Sequence, residues 1–87
     1  MLSFFFAIFK NIMNNNSLDL HGTKHANVFR KVDQFIGAHI QIGTNEVEII
    51  TGYSGEMKKL VNKVLIDYGI TSEEAWGNPG KLIINLT

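Results

Sequence analysis

The sequence predicts a two-layer sandwich of mixed α+β and α/β character, with the order β-α-β-α-β-β. Its four-stranded mixed sheet carries two helices on one face. Three observations carry that expectation. Two stretches of helical apolar period each follow a short β-patterned run and a glycine-bearing turn. A β-rich run closes the chain after Gly77-Asn78-Pro79-Gly80. The whole is 87 residues with 45% hydrophobic and 18% charged positions, which suits one modest globular core and excludes a two-domain enzyme with an interdomain cleft.

In chain order, Met1 to Phe9 reads MLSFFFAIF, less than half of the ~20 residues that span a bilayer. Its one lysine, Lys10, follows the apolar run, whereas a secretory signal carries its charge before it. No membrane span and no export are expected, and the cytoplasm is the expected compartment. The segment reads as a short apolar helix or arm whose phenylalanines dock on the domain or on a second copy. The rival, an interfacial membrane anchor, has too few flanking basic residues to be favoured. An Asn-rich linker ends near residue 16, so 1–16 is a separate segment and 17–87 the domain.

Ser17 to His21 alternates polar and apolar residues, the period of a half-buried strand. Gly22 ends it, and Thr23 is a suitable N-cap for the next element. From Lys24 to about Ile40, residues Val28, Phe29, Val32, Phe35, Ile36 and Ile40 recur at helical spacing, with Gly37 expected to fray the last turn. Gly43-Thr44-Asn45 is a loop and Val47 to Ile50 a second strand, so strand, helix and strand form a parallel crossover unit. After Thr51-Gly52-Tyr53-Ser54-Gly55, residues Met57, Leu60, Val61, Val64, Leu65 and Tyr68 mark the clearest helix, and Gly69 stands at its C-terminal cap. The tail is expected to be a hairpin of Ile70 to Trp76 with Lys81 to Leu86, turning on residues 77–80. The competing reading of Thr71 and Glu74 as a capping box is set aside.

The chemistry is bounded by composition. Eight basic residues balance eight acidic ones and cysteine is absent. Thiol nucleophiles and cysteine-ligated metals are thereby excluded, and nucleic-acid binding would need a local patch rather than a bulk field. Three histidines remain as acid–base or ligand candidates. His25 reads as a solvated first-turn residue and His39 as a helix-end residue complementing the dipole or partly buried. Strand period places Asp19 and His21 on one face at the carboxyl end of the first strand. Thr51 to Gly55 lies at the carboxyl end of the neighbouring parallel strand. Open α/β sheets bind ligands at that rim, so the two segments are expected to meet there.

Gly52 and Gly55 before a helix resemble an anion cradle, although Glu56 competes for the same dipole. Lys58 and Lys59 partly compensate; about 100° apart around the helix, they cannot both face one phosphate. No G-x-x-x-x-G-K-[ST] is present, which excludes a P-loop of the usual kind. Trp76 and Tyr53 could both stack bases; packing is the preferred reading for Trp76, while Tyr53 lies in a loop beside the site.

Leu18-Asp19-Leu20-His21-Gly22 before one helix, and Ile50-Thr51-Gly52-x-x-Gly55 before another, resemble the two motifs of the Smr (small MutS-related) domain. Its fold is similar to the C-terminal domain of bacterial translation initiation factor three. The resemblance spans roughly residues 17–87 and implies nucleic acid, DNA or RNA, as the partner. In several members it implies endonucleolytic cleavage; the alternative is a non-catalytic RNA- or ribosome-associated module. Under the first reading, His21 is the general acid–base or phosphate contact. Asp19 orients it or helps hold a divalent metal, and the backbone of Thr51, Gly52, Tyr53, Ser54 and Gly55, with Lys58 and Lys59, grips the phosphate. The family often has a basic residue directly after the Thr-Gly pair, where this chain has Tyr53.

Overall fold

The computed structural model describes residues 16–87. The apolar segment Met1 to Phe9, and its expected docking, lie outside the described residues. The elements are β1 (Ser17–Asp19), α1 (His25–Gln41), β2 (Glu46–Ile50), α2 (Gly55–Asp67), β3 (Ser72–Ala75) and β4 (Asn78–Asn85). They form one sheet in the order β1-β2-β4-β3, with β1 and β2 parallel and the other neighbours antiparallel. This is the β-α-β-α-β-β sandwich that the sequence predicts.

Alternation along the central strands decides the layers. Val47 and Ile49 of β2 and Leu82 and Ile84 of β4 are buried and join the apolar stripes of both helices in one core. Glu48, Ile50, Lys81 and Ile83 point to the other face, where Lys81 Nζ lies 3.2 Å from Glu48 Oε2. The α1 stripe consists of Val28, Val32, Phe35, Ile36 and His39. Phe29 and Ile40 match the spacing but stay exposed, because each residue turns the helix by about 100° and carries them past the stripe's edge.

His39 is fully buried, deeper than a dipole-complementing role requires. Its Nδ1 lies 2.8 Å from Thr44 Oγ1, and its ring meets Phe35 edge-on at 4.7 Å. Both helices end in the double bond of the Schellman motif. Thr44 N–H donates to His39 O and Gly43 N–H to Ile40 O; Ile70 N–H donates to Leu65 O and Gly69 N–H to Ile66 O. α1 therefore runs intact through Gly37 instead of fraying. A Cβ at residue 37 would stand 3.2 Å from the Tyr68 hydroxyl, so glycine there lets α2 approach. That hydroxyl donates to Asp33 Oδ1 at 2.6 Å.

Three local expectations are corrected. The N-cap of α1 is Lys24, not Thr23, and Thr23 Oγ1 instead accepts from Lys31 Nζ at 3.3 Å. The hairpin turns on Trp76-Gly77, two residues earlier than residues 77–80 suggest. Trp76 is 101% exposed and packs on nothing. Pairing then slips: Glu74 faces Leu82 but Ala75 faces Asn78, so Pro79, Gly80 and Lys81 have no partner on β3. A bulge of this kind tolerates Pro79, which has no N–H to offer. Among the described residues, no helix is long and apolar enough to cross a membrane.

The bond to the Asp33 carboxylate, followed by burial, pushes the Tyr68 phenol up from 10.0 to about 12. A raised folded value favours the protonated phenol, so this stabilisation is whole below pH 10 and is lost as pH climbs through the folded value. In the Tyr53→Phe protein, where Tyr68 is the sole tyrosine, phenolate absorbance should rise with a midpoint near 12, and near the ordinary value once Asp33→Ala is added. A midpoint unmoved by Asp33→Ala would refute the assignment.

Candidate nucleic-acid interface

Parallel pairing fixes the site. Leu18 faces Ile49, Asp19 faces Ile50, and Leu20 N–H donates to Ile50 O at 2.9 Å. His21 and Thr51, each one residue further, therefore leave adjacent strands at the same rim. β4 runs opposite to β2 with Lys81 facing Ile50, so its first residues and the Trp76-Gly77 turn belong to that rim too. The rim is built from three segments: residues 21–25, 51–56 and 76–80.

The first segment is a four-residue turn. Thr23 N–H donates to Leu20 O at 2.9 Å, and Gly22 has φ +73 at the third position, as a type II turn demands. β1 ends at Asp19, so His21 is a turn residue, exposed. The Asp19 carboxylate does not meet the imidazole; its Oδ1 accepts from the His21 backbone N–H at 2.8 Å. Asp19 thus fixes the backbone that carries His21, an Asx-type turn.

The second segment divides its amides between two uses. Gly80 O accepts from Thr51 N–H at 2.9 Å and from Gly52 N–H at 3.0 Å, while the buried Thr51 hydroxyl donates to Gly52 O at 2.9 Å. These two N–H groups are committed inside the fold. Ser54 caps α2, its Oγ accepting from Met57 N–H at 3.2 Å. Among the described residues, the N–H groups of Tyr53, Ser54, Gly55 and Glu56 meet no protein acceptor, and they lie where the α2 dipole favours an anion. The two glycines differ in kind. Gly52 has φ +68; Gly55 has ordinary φ, and a Cβ there would meet open space. The fold requires the first and not the second.

Lys58 Nζ lies 3.5 Å from Glu74 Oε1, which ties α2 to β3, whereas Lys59 is exposed. Tyr53 is 80% exposed. Among the described residues, no three His, Asp or Glu side chains gather closely enough to hold a metal ion, so Asp19 and His21 have no third protein ligand there. Gly80 is the residue that sequence reasoning missed. The one available hint was an excess of turn formers, Gly77-Asn78-Pro79-Gly80, where a hairpin needs two.

Charge is segregated by layer. Lys24 at the α1 N-cap and the two helices carry six basic residues against three acids, while the strands carry five acids against Lys81. A chain neutral overall thus presents a positive helical layer and a negative sheet. The rim joins them, with the α1 and α2 N-termini on its positive side.

Two layers, a parallel strand pair and a ligand-accessible rim define the class: a small α/β sandwich domain whose exposed amides suit an anionic ligand. The Smr domain family model matches residues 18–87. The chain belongs to the Smr domain family, a family of nucleic-acid-binding, nuclease-like domains. No curated protein and no solved structure shows a significant match.

A β-branched residue at a positive φ is strained by about 1–3 kcal/mol, so Gly52→Val should lower the unfolding free energy by that amount in urea denaturation. Gly55→Ala should leave it within about 0.5 kcal/mol. Equal losses would contradict the division between a structural and a free glycine.

Proposed function

We propose that this Smr domain binds the phosphate backbone of nucleic acid at the rim and that His21 serves phosphodiester cleavage there. The observation that carries the reading is the adjacency of an exposed histidine turn and four unoccupied amides on neighbouring strand ends. The amides of Tyr53 to Glu56 take the phosphate oxygens, and Lys59 adds charge near the same helix end. The His21 imidazole, exposed on its turn, moves the proton that hydrolysis requires. Asp19 is a positioning residue: its bond to the His21 N–H holds the turn. Gly55 lets the backbone approach the ligand, since the fold itself does not need it.

Two observations favour the second reading, a binding module without cleavage. Tyr53 stands where the family often has a base, and Lys58 is engaged by Glu74. Both reduce the charge available to a transition state but leave the amides in place. Such a module would dock RNA or a ribosome-associated partner.

Affinity for an oligonucleotide should fall steeply between 50 and 200 mM salt, the signature of phosphate contacts, and Gly55→Val, at the glycine the fold does not need, should weaken it more than Lys63→Ala. On plasmid and structured-RNA substrates, His21→Ala should abolish cleavage while leaving binding within a few fold. Asp19→Asn, which keeps the acceptor oxygen, should retain most activity, and Asp19→Ala should not. Cleavage by His21→Ala at the wild-type rate would remove the proposed chemistry; a wild type that binds but never cleaves would establish the second reading.

A further inference from the structure

We propose that Tyr53 and Trp76 form a two-point aromatic platform that stacks unpaired bases, so that the rim takes single-stranded or looped nucleic acid in preference to intact duplex. The inference rests on the nucleic-acid reading above and specifies its substrate.

Its ground is the complete exposure of the chain's single tryptophan, together with an 80% exposed tyrosine. A packed Trp or Tyr buries about 150–250 Å² and usually gives its polar atom a partner. Neither ring does so here: among the described residues, neither makes a hydrogen bond or ring contact. Their exposure therefore adds nothing to the fold.

Both supports are stiff. Tyr53 stands between Gly52, whose N–H is held by Gly80 O, and Ser54, the α2 N-cap. Trp76 occupies a two-residue turn closed by the Ala75 and Asn78 pair. The supports are also joined. A Cβ on Gly80 would lie 3.4 Å from Gly52 Cα, and the four residues from Gly80 back to Trp76 span at most ~14 Å. The aromatic residues thus flank one backbone contact on one rim, beside the free amides of residues 53–56.

Such a pair selects by base accessibility. In a duplex, each base face is covered by its neighbour, whereas an unpaired base offers its face to an indole or phenol ring. Amides for the phosphates and rings for the bases are the two components of single-strand recognition. A membrane surface fits less well: Gly77 and Asn78 adjoin Trp76, and Glu73 and Glu74 precede it, without the basic flank that such insertion uses.

The full chain is titrated with a single-stranded oligodeoxynucleotide, the corresponding oligoribonucleotide, a blunt duplex of equal length and anionic phospholipid vesicles. Trp76 fluorescence and the anisotropy of labelled strands are the readouts. The single strands should quench Trp76 and bind more tightly than the duplex. Trp76→Ala and Tyr53→Ala should each weaken single-strand binding about five- to hundredfold, with the salt slope and the duplex affinity unchanged; Trp76→Phe should restore most of the loss. Circular dichroism checks that both variants keep the wild-type fold. If single strand and duplex bind alike and Trp76→Ala has no effect, the platform is refuted while the phosphate reading survives. If no nucleic acid binds even at low salt, both are refuted. Quenching by vesicles alone would refute the platform in favour of a membrane contact.

Discussion

The carbonyl oxygen of Gly80 holds the rim of this domain together. By accepting from both Thr51 and Gly52, it fastens the start of β4 to the turn between β2 and α2. Gly80 and Gly52 lie close enough that a Cβ at residue 80 would be in van der Waals contact with Gly52, 3.4 Å from its Cα. The β4 bulge delivers that oxygen: three residues that escape pairing with β3 are free to lean on the neighbouring turn. Committing two amides inward also aims the turn, so that the next four N–H groups and the start of α2 remain open at the rim. A packing contact and a potential ligand site are in this sense one construction.

The distribution of charge gives the construction a direction. Bulk neutrality suggests no attraction to polyanions, yet the two layers have opposite sign. Among the described residues, the sheet face away from the helices carries Glu46, Glu48 and Glu73 around Ile83, with only Lys81, paired to Glu48, in opposition, a balance that disfavours a phosphate backbone. The helical layer and the α1 and α2 N-termini attract it. Under the proposed function, this asymmetry would guide a nucleic acid toward the rim and away from the sheet, with screening that shortens the effect as salt rises. His21 stands at this boundary, on a turn held by Asp19 rather than in a buried charge network. That arrangement suits the proton transfer proposed for it.

Much of this was legible in the residues, because local chemistry and long-range packing agree. The stripes through Val28 and Val32, and through Met57, Val61 and Val64, specify helices and their buried faces together. Two strands joined by a helix imply parallel pairing, and this alone brings His21 beside Thr51 across a gap of thirty positions. What escaped the sequence depended on contacts without a local pattern. Trp76 reads as a packing residue in preference to a base-stacking one, and only the actual turn position places it in solvent. Asp19 and His21 share an expected face, but the strand stops at Asp19 and its carboxylate takes the nearer backbone N–H. Gly52 and Gly55 read alike as cradle residues; their conformations separate a required left-handed position from a free one. Thr23 is a better cap former than Lys24, yet the turn at Gly22 sets the helix start.

The central claim is that nucleic acid meets this domain at the rim defined by β1, β2 and the β3–β4 turn. Amide chemical shifts of the isotopically labelled full chain, followed during titration with a single-stranded oligonucleotide at low salt, test it most directly. The account requires the largest changes at His21 to His25, Tyr53 to Glu56 and Trp76-Gly77, with the amides of Glu46 to Glu48 and Ile83 nearly still. Changes centred on those sheet residues, with the rim unmoved, would contradict it.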